Sequence, residues 1–247
     1  MKKILLFTVL ITLIGLKGAI AQAVTDVDQF NRVIVSPHVQ ATFIKGDKES
    51  VTVESCTVDK EKIKIESNGK TLRVYLEGAK ETTKNERTYQ NGREINMPIY
   101  KGTVLVVTIT YKTLEELSVR GEENILLKSK LDQDDFGLTV YGTGNVYIDE
   151  VRLQKMHTTI YGESYVELKS GNVTEQKFTS YGESKVDALN ISSKIARATL
   201  YGESQLNLNV ADLIKVTSFG ESKVGYKGDP EIKKGINIGS SKIYKIN

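Results

Sequence analysis

The word Tyr-Gly-Glu-Ser stands at 161–164, 181–184 and 201–204, and looser versions of it stand at regular distances on either side. Aligned on the glycine, the words are VRGEENI (Gly121), VYGTGNV (Gly142), IYGESYV (Gly162), SYGESKV (Gly182), LYGESQL (Gly202), SFGESKV (Gly220) and NIGSSKI (Gly239). Their spacings are 21, 20, 20, 20, 18 and 19 residues. A period near 20 constrains the fold more than anything else in the chain. Each unit is too small to bury an apolar face alone, so it must stack on its neighbours.

Inside each unit the period is two. Four residues after the glycine stand Ile125, Val146, Val166, Val186, Leu206, Val224 and Ile243, all aliphatic. Polar residues such as Glu167, Asp187 and Asn207 alternate with them, the pattern of a half-buried strand. Before the glycine, Leu138, Phe178, Val140, Ile160 and Leu200 share one parity, and Thr139, Thr159, Thr179, Thr199 and the tyrosines share the other. Two or three short strands per 20-residue unit also suit an antiparallel sandwich or barrel. Hairpins, however, do not require the same word at the same place in every turn. A parallel β-helix does, because equivalent residues stack at a strand spacing of about 4.8 Å. The expectation is therefore an all-β, right-handed parallel β-helix (β-solenoid). The corner glycines are placed where a positive φ or close packing excludes a side chain. The tyrosines and threonines form ladders.

Residues 27–112 are β-rich without the repeat word. FNRVIV, HVQATFI and SVTVES read as strands, and KIKIESNGKTLRVYLEG as a hairpin with a type I′ turn at Asn68-Gly69. Residues 78–98 are polar and turn-rich and read as a long surface loop, while GTVLVVTITY is a buried strand. This part is expected to continue the same sheets and cap one end, since an open solenoid end is a reactive edge. YKGDPEIKKG interrupts the period before a last coil.

The chain opens MKKILLFTVLITLIGLKGAIAQA: a charged start, an apolar stretch from Ile4 to Leu16 and a small-x-small site at Ala19-Ile20-Ala21. It reads as a signal peptide over 1–21, with the mature chain, one β domain over 22–247, beginning at Gln22. Nothing later in the sequence is apolar over about 20 residues. The leader holds three lysines and no acid, and without it 31 basic residues face 31 acidic ones. That balance offers no long-range attraction to nucleic acid or anionic lipid. Cys56 is the single cysteine, so no internal disulfide forms, and it reads as a small buried side chain rather than a thiol nucleophile. Export without disulfides fits the periplasm or surface of a Gram-negative cell.

The phrase FNRVIVSPHVQATFIKGDKESVTVE, the segment Thr113 to Gly121 (TLEELSVRG) and the close Tyr226-Lys227-Gly228-Asp229-Pro230 together resemble the family called putative auto-transporter adhesin, head GIN domain, over residues 27–247. Tyr-Gly-Glu-Ser stands where that family usually carries small residues, and Gly142-Thr143-Gly144 stays closest to its pattern. The resemblance implies a right-handed β-helix and an adhesive role, and it supplies no catalytic residues.

Two columns are the candidate sites. Glu163, Glu183, Glu203 and Glu221 fall on one edge at roughly 5 Å intervals, a separation that retaining glycosidases use. Those enzymes need two carboxylates in unlike environments, and a ladder offers like ones. Like charges at about 5 Å repel by roughly 1–3 kcal/mol. The glutamates must therefore splay into water, pair with Lys185, Lys223 and Lys242, or hold a cation such as calcium with help from Ser164, Ser184 and Ser204. Tyr141, Tyr161, Tyr181, Tyr201 and Phe219 have outward parity: either they pack on one another or under the N-terminal part, or they form a face that stacks on sugars or meets a protein. His38 and His157 carry no metal spacing, and there is no phosphate loop, dinucleotide fingerprint or GxSxG. Asn172-Val173-Thr174 and Asn190-Ile191-Ser192 match the glycosylation sequon. The sequence reads as an exported, non-catalytic binding module for a surface glycan or protein, without cofactor or metal. The alternatives are a structural or envelope-signalling part and a polysaccharide-active β-helix enzyme.

Overall fold

The computed structural model describes residues 23–90 and 92–246. The leader over 1–21 and the expected mature start at Gln22 lie outside the described residues. The strands are β1 (Ala23–Asp26), β2 (Arg32–Val35), β3 (Val39–Lys45), β4 (Ser50–Cys56), β5 (Ile63–Asn68), β6 (Thr71–Leu76) and β7 (Asn85–Gln90). They continue as β8 (Arg93–Pro98), β9 (Leu105–Tyr111), β10 (Glu116–Gly121), β11 (Asn124–Leu127), β12 (Leu131–Gly142), β13 (Asn145–Ile148) and β14 (Val151–Gly162). The last are β15 (Tyr165–Leu168), β16 (Gly171–Tyr181), β17 (Lys185–Tyr201), β18 (Gln205–Phe219), β19 (Lys223–Lys227), β20 (Glu231–Ile238) and β21 (Lys242–Lys245).

The chain forms a β-solenoid of parallel coils about 20 residues apart. One ladder runs β2, β10, β12, β14, β16, β17, β18, β20, every step parallel. A second runs β3, β11, β13, β15, β17, β18, β19, β21. The repeat word sits at the corner between them. In β12 and β14 the in–out alternation breaks at Asp134-Asp135 and Gln154-Lys155, where two exposed residues follow one another. That break turns the first half of each long strand onto a third side. Inward positions stack like on like: Val140 on Ile160, and Val146 on Val166. Both columns are buried in one core with Phe43, Leu72 and Ile109 of the N-terminal part.

The N-terminal part does continue and cap the solenoid. β6 pairs in parallel with β2, and β9 with β3, which adds one coil beneath the first before the chain crosses back to β10. Antiparallel strands then close that end: β5 on β6, β4 on β9 and β1 on β4. Two expectations are corrected here. Residues 78–98 are not a structureless loop, because β7 and β8 form an antiparallel hairpin of their own. Between β5 and β6, Asn68 pairs with Thr71, so Gly69-Lys70 is the turn. Gly69 has φ 58 and Lys70 is not among the positive-φ residues, so the turn is of the II′ kind rather than I′.

Candidate functional site

The repeat corner explains its own residues. Gly142, Gly162, Gly182, Gly202 and Gly220 have φ between 108 and 136, a region L side chains rarely enter. A Cβ on any of them would fall 2.3–2.6 Å from the carbonyl oxygen of the corner glycine one coil below. That carbonyl accepts from the next glutamate's N–H: Glu163 from Gly142 at 3.0 Å, Glu203 from Gly182 at 3.1 Å and Glu221 from Gly202 at 3.1 Å. The serine of the word turns inward and is buried. Ser164 donates to the Gly142 oxygen at 2.9 Å, Ser204 to Gly182 at 3.2 Å and Ser222 to Gly202 at 3.1 Å.

The tyrosines face outward, two residues beyond the threonine column formed by Thr139, Thr159, Thr179, Thr199 and Thr217. Tyr141, Tyr161, Tyr181, Tyr201 and Phe219 stack ring on ring, with centroids 4.8–4.9 Å apart and planes within 2–6° of parallel. They are at once self-packed and open: the four tyrosines are 37–41% exposed. Because each ring covers its neighbour's face, solvent meets ring edges and hydroxyls. A sugar therefore has no free face along the row on which to stack. Arg120 caps the column, with its guanidinium 5.0 Å from the Tyr141 ring. It also bonds Glu81, which in turn holds Arg73. The sequence carries this signal, since Arg120 stands before its glycine where the next four units have tyrosine.

Glu163, Glu183 and Glu203 are exposed, as is Glu221, and among the described residues none of the four makes an ion pair. The pairing expected from Lys185 is not found; its ammonium lies 5.7 Å from the Tyr165 ring instead. With the serines buried inside the corner and the glutamates outside it, the two cannot share one cation. Among the described residues no group of three or more His, Cys, Asp or Glu side chains is placed to hold a metal.

A second aromatic pair went unread in the sequence. Tyr147 and Tyr165 meet edge to face at 5.9 Å on the neighbouring ladder. Burial raises the Tyr165 hydroxyl's pKa above its ordinary value, and the charges of Glu167 and Asp187 add to the shift.

Two concavities accompany these columns. A groove of about 1050 Å³ opens where Gly137 interrupts the outward side chains, and Glu116, Asp134, Asp135, Arg32, Lys155 and His157 line it. A smaller one, about 490 Å³, lies at the corner between β2 and β3. There His38, which carries no metal spacing in the sequence, is pinned: one ring nitrogen is 2.7 Å from the Gly102 oxygen and the other 2.6 Å from the Thr83 hydroxyl. Its φ of 70 makes it the one non-glycine residue with positive φ among those described. Glu123 is buried 3.9 Å from it. Cys56 is half-buried and its thiol donates to the Val58 oxygen at 3.3 Å.

The chain is similar in fold to a putative adhesin from Bacteroides fragilis, with TM-score 0.75 and 21% identity over 91% of this chain and 96% of that one. It is similar to a putative adhesin from Parabacteroides distasonis, with TM-score 0.67 and 17% identity over 91% and 96%. A putative lipid binding protein from the same species gives TM-score 0.65 and 18% identity over 92% and 96%. No curated protein matches the chain. The family model described as putative auto-transporter adhesin, head GIN domain, matches residues 29–230, and the chain belongs to that family.

Proposed function

We propose that this protein is an exported, non-catalytic binding module of the cell envelope. Its threonine–tyrosine face meets a glycan or protein at the surface, and the leader-like start supports export. The observation that carries the reading is the row of phenol edges on Tyr141, Tyr161, Tyr181 and Tyr201, exposed at a fixed pitch on a rigid face. Exposed aromatic rows of this kind mark binding surfaces. Membership of a family described as adhesins and the adhesin names of its fold neighbours agree with it.

The test follows from the stacking. Replacing Tyr161, Tyr181 and Tyr201 together by Phe keeps every ring contact and removes only hydroxyls. Mature wild type and this triple variant are screened on immobilised glycans and extracellular-matrix proteins, with thermal melts in parallel. The expected result is an unchanged melt with loss of a ligand that wild type retains. If wild type retains nothing, and a Tyr→Ser triple at the same positions only melts lower, the rings are architecture and a structural role replaces the binding role.

The mixed-charge groove at Gly137 favours a second reading, a polysaccharide-active enzyme, because acids, Lys155, His157 and Arg32 converge there as the uniform repeat does not allow elsewhere. Shortening of a defined polysaccharide on incubation with the protein, abolished by Asp135→Asn, is its test.

A further inference from the structure

The face carries one more column, which the repeat word does not announce. Four residues before each ring, the strand register aligns Gly137, His157, Lys177, Arg197 and Lys215, and Lys233 of β20, a strand without a ring, continues the column. From His157 onward every member is histidine, lysine or arginine, and no acid interrupts them. His157, Lys177, Lys215 and Lys233 are exposed and Arg197 is half-exposed. Two of the cations are partly answered by carboxylates: Arg197 by Glu175 at 2.9 Å and Lys233 by Glu231 at 3.3 Å. Lys177 and Lys215 have no ion-pair partner among the described residues. Cations one strand apart repel by roughly 1–3 kcal/mol per neighbouring pair. A chain otherwise balanced in charge leaves Lys177 and Lys215 without a neutralising carboxylate among the described residues.

We propose that the ligand of this face is a linear acidic glycan lying along the solenoid axis, its carboxylates or sulfates on the cation column and its hydroxyls on the threonines and tyrosine edges. The inference rests on the binding-face reading above and names its ligand class. The geometry fits. A rise of about 3.3 Å per residue puts the cations roughly 7 Å from the threonine column and roughly 13 Å from the rings, a trough wide enough for one polymer chain. The exposed Glu163, Glu183, Glu203 and Glu221 form the opposite rim, so an anionic chain is held to the lysine side. The stacking argues against nucleic acid, the other extended polyanion. Single strands are gripped by bases stacking on aromatic faces, and here each face is covered by the next ring. Sugars need hydroxyl partners rather than faces, and the threonine column and phenol edges supply them.

The experiment uses matched polymers: polygalacturonate, its fully methyl-esterified form and single-stranded DNA, titrated at about 50 mM salt, where surface charge is weakly screened. Wild type is compared with Lys177→Glu/Lys215→Glu and with Lys60→Glu/Lys62→Glu, which makes the same charge change on the N-terminal part. The expected result is binding to polygalacturonate at least about tenfold tighter than to the ester, and a further drop of at least about tenfold in the Lys177/Lys215 variant. The Lys60/Lys62 control should stay within about twofold of wild type. Equal affinity for acid and ester overturns the charge inference while leaving the tyrosine face as a binding surface. Tighter binding to DNA, equal losses in the two variants, or no binding to either polymer each overturn it as well. In those cases the phenylalanine screen decides the binding-face reading separately.

Discussion

The repeat coils and the N-terminal part belong to the same sheets but are held in different ways. At Gly162, Gly202 and Gly220 the corner is closed by the backbone of the corner below, through glycine carbonyls, glutamate N–H groups and buried serines. Around β2 and β3 the equivalent corner has Pro37 in the glycine's place, and the Gly121 Cα faces it so closely that a Cβ there would sit 3.0 Å from the Pro37 Cα. That corner is fixed by long-range side-chain contacts: His38 to Thr83 and Gly102, Tyr100 to the Glu77 oxygen, and Arg73 and Arg120 to Glu81. The contrast teaches that stacking like on like makes a corner that tolerates no side chain, whereas an irregular corner spreads its constraints over many weaker contacts.

The largest expected effect breaks this comparison at a glycine. Gly182→Ala places a methyl 2.5 Å from the Gly162 oxygen at φ +132. The coils above and below prevent relaxation, and a loss of about 3–5 kcal/mol is expected. Gly69→Ala, at φ +58 with nothing within 4 Å of the added carbon, meets backbone strain alone and should lose about 1–2 kcal/mol. Urea unfolding of both variants checks it. Equal losses would mean that the corner stack relaxes, and the distinction between the two regions would fall.

The same contrast explains what the sequence could convey. The solenoid was legible because one geometry, repeated, demands one residue type per position, and the outward parity of the tyrosines followed from the period. What the period could not convey was ring orientation: stacking covers the faces, and only side-chain packing between coils decides that. In the N-terminal part the hairpin of β7 and β8 was missed although Asn91-Gly92 is the same dipeptide that marked the turn after β5; the surrounding polar residues hid the alternation. The His38 pocket was not legible at all. Thr83 and Glu123 lie 45 and 85 positions away in the sequence, and no local pattern brings them together.

A smaller effect sharpens the comparison from the N-terminal side. Tyr111 in β9 is buried, and its hydroxyl has no hydrogen-bond partner among the described residues. Burial pushes its pKa from 10.0 up to about 12. The sign follows from the neutral phenol being favoured in the fold. Its contribution is complete below 10.0, where the unfolded chain begins to ionise, and is lost as pH rises through about 12. Tyr111→Phe should therefore be neutral or stabilising by up to about 1 kcal/mol near neutral pH. It should also remove on the order of 2 kcal/mol of alkaline destabilisation. Urea midpoints of wild type and variant at about pH 8 and about pH 12 decide it. Parallel curves for the two proteins would show that the hydroxyl finds a partner in solution.

The smallest effect concerns charge between coils. Arg152 stands one coil above Asp132 in register and binds it in bidentate fashion, with its Nε 2.9 Å from Oδ1. The hydrogen bond from Arg152 holds the Asp132 carboxyl below its ordinary 3.8. The folded value being the lower one, this pair's contribution is present above 3.8 and is lost as pH falls through the folded value. Both side chains are exposed, so the contribution is small and screened by salt. Asp132→Asn should move the urea midpoint at neutral pH less than Tyr111→Phe moves it at high pH, and the difference from wild type should vanish at about pH 2 or in about 1 M salt. A shift as large as that of Gly182→Ala would reverse the ranking, because coils would then be joined by surface ion pairs rather than by the glycine carbonyls and the aliphatic columns beneath them.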